Sequence, residues 1–372
     1  AKRAQDHARA SSGSRHDGGV DATEVITARL ANLRLSVPGD SPADVADWCG
    51  ALQAQDLSSG KWSLGARLPG ATEADVDQAL AIGEVLRTWP MRGTIHIVHP
   101  ANAHWMLDLT GRRALNGLQA RWDYLGLDKA TVERGAEVLG EALQGIRMTR
   151  SQCLTTLNDA GIDTSGQRAY HLLWYASQIG VTCIGPNEGK EQTFVLLDDW
   201  ATDPRTPSRD EALALLARLY FQSHGPASRA DFQRWTGLTA TDSKKAIAGA
   251  DLEAVSLDGQ ELLTVPGETA DLPHMMLLSG FDEFMLGYKD RSLFMEPEHL
   301  RRVVPGMNGI FRPTVVERGR VIGTWGRKAM ATSVRVTVTG FDSLKPAQRK
   351  ALTVPAEQYA AFLDTRLDLR FE

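Results

Sequence analysis

The sequence predicts an α+β fold, mostly α, with three tandem winged helix-turn-helix units followed by a C-terminal β-rich region. Two observations support this fold class. Short helices with Ser or Thr at their starts are followed by a two-stranded hairpin three times along the chain. Beyond Pro273 the helical pattern gives way to short runs of β-branched residues. The copies are not close in sequence, so they predict a repeated architecture without a strict repeat.

The predicted organisation has five parts along the chain. Length alone suggests several domains, because a domain usually holds roughly 100–200 residues. The parts are a flexible tail (1–20), a first winged helix with a helical extension (21–145), a second winged helix (146–205), a third winged helix (206–268) and a C-terminal β-rich region with a basic hairpin (269–372).

The composition excludes several protein classes. With 42% hydrophobic residues, 23% charged residues and a net charge of -5, the chain is no polycation, although a local basic face is compatible with this charge. Cys49, Cys153 and Cys183 are far apart, which argues against a zinc finger or a disulfide framework. We expect buried thiols, no metal or cofactor, and a cytoplasmic monomer. No apolar run is long enough to span a membrane.

The first unit is predicted to hold three helices before its hairpin. Ser41 and Pro42 mark a capped helix start, and Asp44 is expected to close a capping box. An eight-residue segment, Ala51–Ser58, follows the second helix and carries two glutamines and an aspartate. The predicted elements are helices Ala22–Leu35, Pro42–Leu52 and Glu73–Ile82, then strands Val85–Thr88 and Thr94–Val98 around the tip Trp89–Gly93.

The same pattern returns twice, after two helices that extend the first unit. Capping boxes are predicted at Thr149–Gln152 and Ser228–Asp231, and Asp258-Gly259 is a strong hairpin turn signal. The predicted elements are helices Pro100–Leu118 and Lys129–Gln144; helix Gln167–Ile179 with strands Val181–Ile184 and Thr193–Leu197; a helix from about Ser208, helix Thr241–Ala248 and strands Leu252–Leu257 and Glu261–Val265; then strands Met275–Leu278, Val315–Val316, Arg320–Gly323 and Val334–Val338 and helix Ala356–Arg366.

Basic side chains lie in or beside the predicted hairpins and turns, where a winged helix contacts duplex backbone. Between Arg312 and Lys328 five basic residues stand against one acidic residue. The third recognition helix offers only Asp242, Lys244 and Lys245, which favours reading of backbone and shape over bases. The candidate phosphate contacts are Arg87, Arg92, Arg112, Arg113, Arg121, Arg318, Arg320, Arg327 and Lys328.

Five segments in this order resemble one family. They are LQAQD (Leu52–Asp56), LRTWPMRGTIHIV (Leu86–Val98), HGPASRADFQRWTGL (His224–Leu238), FDEFMLGYKDRS (Phe281–Ser292) and NGIFRPTVVERGRVIGTW (Asn308–Trp325). From about Val25 to its end the chain is similar to the bacterial winged-helix family that includes the AlkZ-like DNA glycosylases. The resemblance implies three winged helices in a C-shaped molecule, with duplex DNA on the concave face and hairpins that probe it.

The resemblance also implies a catalytic motif of the form Q-x-Q or Q-x-D. Here the match is Gln53-Ala54-Gln55, the form that resembles the branch associated with self-resistance to DNA-alkylating natural products. Asp56 is not the carboxylate of the other form, because it stands three positions from Gln53. It is a candidate for orienting a glutamine from behind, although a helix cap or an ion pair is the preferred interpretation.

Two glutamines suffice for one class of substrate. An alkyl group at purine N7 or N3 makes the base cationic and a good leaving group. Gln53 and Gln55 can then orient one water beneath the sugar C1′ for an oxocarbenium-like transition state. A neutral amide is a poor general base. The resemblance therefore implies a monofunctional DNA glycosylase that acts on duplex with cationic N7-alkylguanine, N3-alkyladenine or bulky natural-product adducts, crosslinks included.

Two other function classes stay open on the residues alone. A non-catalytic winged-helix transcriptional regulator would prefer an operator sequence, and an adduct-binding resistance protein would shield lesions; neither would release a base. His96 and His99 beside the first hairpin are interpreted as packing or surface residues, with a lesion or phosphate contact as the alternative. Lys289 is not expected to act as a Schiff-base nucleophile. An ion-paired structural cluster is predicted for Asp282, Glu283, Lys289, Asp290 and Arg291.

Overall fold

The computed structural model describes residues 19–372, so the predicted tail lies almost wholly outside the described residues. The last two residues of that predicted tail, Gly19 and Val20, are described, and they lie against the third hairpin. Gly19 forms a parallel bridge with Ser256, and the Val20 amide donates to the Ser256 carbonyl over 2.9 Å. Both helices and strands are present, which confirms the α+β class.

The first segment contains one more helix than predicted. That helix begins directly after the Q-x-Q segment, where Asp56 caps it by accepting from the Ser59 amide. Ser41 caps the preceding helix as predicted, but no capping box forms, because the Asp44 carboxylate accepts from the Asp40 amide instead. The elements are α1 (Ala22–Asn32), α2 (Pro42–Cys49), β1 (Leu52–Gln53), α3 (Leu57–Gly65), α4 (Glu73–Ala81), β2 (Leu86–Met91) and β3 (Thr94–Val98).

The turn of the first hairpin is shorter than predicted, because β2 continues to Met91. Arg92 and Gly93 form the tip with φ values of 54° and 68°. A left-handed conformation at both central residues matches the twist of a two-residue hairpin turn. The Arg92 side chain is exposed at this tip.

The second hairpin joins the first in one six-stranded sheet. The strand order is β1-β3-β2-β5-β6-β4, and the two hairpins meet where Arg87 pairs with Ile184. The predicted helix to Leu118 ends at Leu109 and continues as a 3-10 turn, Gly111–Leu115. The elements are α5 (Pro100–Leu109), α6 (Gln119–Leu125), α7 (Lys129–Ala142), β4 (Met148–Thr149), α8 (Arg150–Asp159), α9 (Arg168–Gln178), β5 (Thr182–Glu188), β6 (Glu191–Leu196) and α10 (Leu197–Trp200).

Arg87 corrects one predicted phosphate contact. Its side chain is buried at the junction of the two hairpins, where Nη2 donates to the Gly185 carbonyl over 3.0 Å and to Asn187 Oδ1 over 2.8 Å. Burial lowers the pKa of Arg87 to about 10. A guanidinium held inside the sheet is not available to DNA, so this prediction was wrong.

The third group follows the predicted pattern closely. Capping boxes form at Ser208 and Ser228, and Asp258-Gly259 is the turn of a two-stranded hairpin. Helix α1 packs here, because Arg29 Nε donates to the Pro226 carbonyl and Asn32 Nδ2 to the Gly225 carbonyl, each over 2.8 Å. The elements are α11 (Arg209–His224), α12 (Arg229–Thr236), α13 (Ala240–Ala248), β7 (Glu253–Leu257) and β8 (Gln260–Thr264).

The C-terminal region is a five-stranded sheet of order β13-β12-β11-β10-β9. The predicted turn at Arg318-Gly319 is confirmed, whereas the predicted final helix is shorter and ends before a strand that the pattern did not indicate. The elements are β9 (Met275–Leu278), α14 (Glu283–Leu286), a 3-10 turn (Pro297–His299), α15 (Leu300–Val303), a 3-10 turn (Pro305–Met307), β10 (Thr314–Glu317), β11 (Arg320–Ala329), β12 (Ser333–Gly340), α16 (Pro346–Ala351), α17 (Thr353–Phe362) and β13 (Arg366–Phe371).

Trp62 attaches α3 to this sheet, and Trp325 of β11 lies beside it. Trp62 donates from Nε1 to the Leu277 carbonyl, and Trp325 donates to the Leu278 carbonyl, each over 2.8 Å. Both indoles pack edge-on against Tyr359 of α17 at centroid distances of 4.9 Å. The helix that follows the Q-x-Q segment is therefore fixed between the C-terminal sheet and α17.

Two further predictions concern buried thiols and the number of units. The three cysteines are free and buried, as predicted. In residues 19–372 no helix has the length and apolar character needed to cross a bilayer. The predicted division into three winged helices stays a prediction, and one sheet crosses the proposed boundary at residue 145.

Candidate active site

The Q-x-Q segment is an edge strand of the six-stranded sheet. Gln53 lies opposite His96 of β3, and the Ala54 amide donates to the Ile95 carbonyl over 2.8 Å. Gln53 is the last residue of β1, and Gln55 lies in the bend that follows the strand. Ala54 is buried against Gly60 of α3, where a Cβ would come within 2.6 Å of it. The glycine lets α3 approach the segment closely.

The two glutamines have different surroundings. Gln55 is exposed, and its Oε1 accepts from the Ile95 amide over 3.1 Å, which fixes the carbonyl and leaves the NH₂ group free to donate. Gln53 is 8% exposed, and among the described residues its carboxamide has no hydrogen-bond partner. Its side-chain atoms are not among the fully buried atoms that lack a partner, so the carboxamide is free to hold a water or a substrate atom.

A buried carboxylate that sequence reasoning did not assign to the site lies behind Gln53. Glu283 Oε1 accepts from the Gln53 amide over 3.3 Å. Its Oε2 accepts from Trp235 Nε1 over 2.8 Å and lies 3.3 Å from His224 Nε2. Burial alone would raise the pKa of Glu283, but the hydrogen bond with His224 and the charges of His224 and Arg92 lower it to about 2. The site therefore has a fixed negative charge below its two amides.

His96 is neutral in this arrangement. Desolvation, reinforced by the adjacent Arg92 guanidinium, lowers the pKa of His96 to about 3. Its Nδ1 lies 2.8 Å from the Thr94 carbonyl and its Nε2 3.2 Å from Arg92 Nη2. These partners assign the proton to Nδ1, so that Nε2 accepts from Arg92. The ring is fully buried, which agrees with the interpretation of His96 as a packing residue.

His99 and Asp56 both cap helices. His99 Nδ1 accepts from the Ala101 amide at the start of α5. The Asp56 carboxylate caps α3 and also accepts from Arg327 Nη2 of β11 over 3.0 Å. Among the described residues it has no hydrogen bond to either glutamine. Both parts of the preferred interpretation of Asp56, a cap and an ion pair, are thus confirmed.

The predicted basic surface is partly used inside the protein. Arg327 is bound to the Asp56 carboxylate. Arg121 stacks over the Tyr124 ring and donates to the Gln167 side chain. Three others form ion pairs: Arg112 with Asp108 at 2.9 Å, Arg113 with Asp242 at 3.6 Å and Arg320 with Glu296 at 2.6 Å. Within residues 19–372, the predicted contacts that lie exposed and have no carboxylate partner are Arg92, Arg121, Arg318 and Lys328, and of these Arg121 is held by Tyr124 and Gln167.

The predicted ion-paired cluster around residue 285 does not exist as one unit. Asp282 pairs instead with Arg67, with both side chains fully buried and Oδ2 at 2.8 Å from Nη1. Asp290 accepts from the Ser292 amide, and the Lys289 amide donates to Asp231. The prediction was wrong because neighbours in sequence leave the α14 loop in different directions. In the described part of the chain no three His, Cys, Asp or Glu side chains are grouped to hold a metal.

Comparison with known proteins gives one consistent result. A sequence profile of the family described as DNA glycosylase AlkZ-like matches residues 46–362. An interstrand DNA cross-link repair glycosylase of Streptomyces sahachiroi is 30% identical over 309 residues, which cover 77% of this chain and 82% of that protein. The structure of Streptomyces sahachiroi DNA glycosylase AlkZ superposes with a TM-score of 0.80 at 25% identity, covering 95% of this chain and 100% of the other.

Proposed function

Because this chain belongs to the AlkZ-like DNA glycosylase family, we propose that it hydrolyses the N-glycosidic bond of cationic alkylated purines in duplex DNA. Family membership makes it a DNA-binding repair glycosylase, which sets aside the non-catalytic regulator. The substrate class, the residues that act and the self-resistance role are the parts that we add. The proposed lesions are N7-alkylguanine, N3-alkyladenine and bulky natural-product adducts.

The observation that carries the proposal is the pairing of a free carboxamide with an oriented one. The Gln53 carboxamide has no hydrogen-bond partner in the described chain, whereas the Ile95 amide already holds the Gln55 side-chain carbonyl. A water between them would donate to Gln53 Oε1 and accept from Gln55 Nε2. We therefore assign the water-accepting carbonyl to Gln53 and the donor to Gln55.

The reaction needs no protonation of the base. As the bond between C1′ and the purine nitrogen breaks, its electron pair returns to the base and neutralises the positive charge. Water oxygen forms the new bond to C1′, and the water proton leaves to solvent because a carboxamide does not keep it. The sugar passes through an oxocarbenium-like state. The Gln53 carbonyl dipole and the anionic Glu283 behind it favour this cation, and preorganised dipoles of this kind supply several kcal/mol.

The name of the 30% identical relative suggests a larger substrate. That protein is described as repairing interstrand DNA cross-links, and we extend this activity to the present chain as part of the proposal. The Q-x-Q strand is at a sheet edge, with Gln55 exposed, so a bulky adduct need not enter an enclosed pocket. This differs from glycosylases that flip the base into a tight pocket.

We propose that the protein binds DNA as a monomer, and that the duplex lies across the three predicted winged-helix units. Units 21–145, 146–205 and 206–268 would form the DNA-facing surface. Region 269–372 would contribute Arg318, at the turn before β11, and Lys328, near the other end of that strand. Exposed basic residues at two hairpins support backbone contact at both ends of such a surface.

The test is base release from a duplex that carries one N7-methylguanine, followed by alkali cleavage and a gel. We expect an abasic-site band with the wild type, and its loss in Gln53→Ala and Gln55→Ala with duplex affinity nearly unchanged. Gln78→Ala is the matched control, because Gln78 is an exposed glutamine on α4. Binding to the lesion without released base would favour the adduct-binding protein instead. Base release by the double variant at the wild-type rate would remove the two glutamines from the mechanism.

A further inference from the structure

Three arginines from distant parts of the chain converge beside the Q-x-Q strand. Arg92 is at the β2–β3 turn, Arg234 is in the last turn of α12, and Arg291 follows α14. The turn lies against the end of α12, since a Cβ built on Gly237 would lie 3.8 Å from Arg92 Cγ. Desolvation lowers the pKa of Arg291 to about 10, and the Arg234 charge adds to this effect. Helix α12 also contacts the loop that carries Arg291, because Asp231 accepts from the Lys289 amide over 2.7 Å. The helix that carries Arg234 therefore lies beside the elements that carry the other two arginines.

Carboxylates neutralise this group only in part, since Glu283 attracts Arg92 by charge without forming an ion pair with it. Within residues 19–372, none of the three forms an ion pair within 4.0 Å. The nearest acidic groups are already used: Asp231 accepts from Ser228 and from the Lys289 amide, and Asp290 accepts from the Ser292 amide. The remaining attraction from these acids does not satisfy the guanidinium donors.

Arg291 is the least satisfied of the three. It is 9% exposed, Nε donates to the Met285 carbonyl over 2.7 Å, and Nη2 is buried without any partner. Its guanidinium lies over the Phe311 ring at 5.3 Å. A buried donor left without an acceptor costs about 1–3 kcal/mol, and more when it is charged. An unpaired buried donor of this kind calls for an explanation, and a ligand that accepts from it or neutralises its charge provides one.

The group is connected to the site through one side chain. Arg92 Nη2 donates to His96 Nε2, and His96 lies directly opposite Gln53 in the sheet. A ligand held by Arg92 and Arg234, the two exposed members, would lie next to the water that Gln53 is proposed to hold.

We propose that Arg92, Arg234 and Arg291 form a binding site for one phosphodiester group of the strand that carries the lesion. This inference rests on the proposed function, because it assumes that Gln53 lies beneath the attacked sugar. Planar guanidiniums bind phosphate oxygens through paired donors, and Arg92 and Arg234 provide those donors. Arg291 adds its charge from behind them.

The site has a second consequence for the reaction. The three positive charges near C1′, which Glu283 offsets only in part, oppose the developing oxocarbenium ion. A bound phosphate neutralises part of this charge, so the strand that holds the lesion also makes the site suitable for a cation. The phosphate therefore acts on the rate of bond cleavage as well as on affinity, which separates this site from a general basic surface.

The first experiment compares Arg234→Ala and Arg92→Ala with Arg229→Ala, an exposed arginine at the other end of α12. Single-turnover release of N7-methylguanine should fall by about tenfold or more in the first two and by less than about twofold in the control. Affinity for a duplex with a tetrahydrofuran abasic site should lose about one phosphate contact, seen as a slope of log affinity against log salt that is smaller by about 0.9. Equal losses in all three variants would overturn the site, since they would indicate general charge only.

The second experiment removes the charge from the DNA. A neutral methylphosphonate replaces each linkage in turn around the lesion or the tetrahydrofuran, and each duplex is tested with wild type and Arg234→Ala. One linkage next to the lesion should lower wild-type rate and affinity, with little further loss in the variant. Additive losses at every linkage would overturn the proposal. If wild type binds with this coupling but releases no base, the phosphate site stands and the proposed function fails.

Discussion

The Gln53 backbone amide donates to the Glu283 carboxylate over 3.3 Å, although the two residues are 230 positions apart. This hydrogen bond fixes the Q-x-Q strand to the first residue of α14. The same carboxylate receives the Trp235 indole and the His224 ring, so one buried anion connects the first hairpin, the third group of helices and the C-terminal region. The position of Gln53 thus depends on the assembly of the whole chain.

Glu283→Gln should lower both stability and excision. The Glu283 carboxylate accepts from the Gln53 amide with one oxygen and from the Trp235 indole with the other. A glutamine at this position has only one oxygen, so its NH₂ group would face one of these two donors. We expect a loss of about 1–3 kcal/mol in the free energy of unfolding, measured in urea. Single-turnover excision should fall further than duplex affinity, because displacement of a positioned group by about 1 Å can cost about 100-fold.

The control for Glu283→Gln is Glu298→Gln, an exposed glutamate in the same region. It should leave unfolding and excision unchanged. Wild-type stability in Glu283→Gln would show that the carboxylate charge has no structural role, and wild-type excision would show that it has no electrostatic role either.

Local signals predicted most of the fold. Helix starts and hairpin turns are encoded by a few consecutive residues. The structure contains the predicted capping boxes at Thr149 and Ser228 and the predicted turn at Asp258-Gly259. Helix α3 escaped prediction because Ser58, Ser59 and Gly60 are poor helix formers. Its stability comes from contacts of Trp62 with the C-terminal region, which a local pattern does not contain.

The site was predictable only in part, for the same reason. The two glutamines follow from a motif of three residues. The carboxylate behind them and the arginines beside them come from elements that no spacing connects, and Glu283 was instead predicted to belong to a local ion cluster. Arg87 shows the opposite error, because an arginine in a hairpin looks exposed until a second hairpin covers it.

The buried His96 should make unfolding depend on pH below neutrality. Its pKa falls from 6.5 to about 3 on folding, so the unfolded chain binds the proton between these values and the folded chain does not. The stabilising contribution is complete above about pH 6.5 and is lost as the pH falls toward 3. We expect the free energy of unfolding to decrease by up to about 1.4 kcal/mol per pH unit from this group.

The measurement is urea unfolding between pH 7 and 4.8, compared with His96→Asn. That range lies above the ordinary pKa of Glu283, so carboxylate protonation contributes little to the difference. His99 and His171 also have lowered pKa values through desolvation, but they contribute equally to both proteins. Parallel curves for wild type and variant would mean that His96 is protonated in the folded state.

Asp56→Asn separates the two roles that remain for this carboxylate. Asparagine keeps an oxygen for the Ser59 amide, so the cap of α3 survives, but the ion pair with Arg327 is lost. Since both side chains are partly exposed, stability should change by less than about 1 kcal/mol. Arg327 becomes free to bind phosphate, so duplex affinity should rise a few-fold while excision stays within about threefold. Loss of excision by about 100-fold with normal affinity would instead assign Asp56 to the orientation of a glutamine.

Substrate charge should decide which bases are released. Neither Gln53 nor Gln55 can donate a proton to a leaving base. Glu283 cannot replace them, because it is an anion without a proton and is fully buried. A neutral base such as uracil would leave as an anion without protonation, whereas N7-methylguanine leaves neutral. In duplexes that differ only in this base, release of N7-methylguanine should exceed that of uracil by several orders of magnitude at equal affinity. Comparable rates for the two would contradict the water-positioning mechanism and require a proton donor at the site.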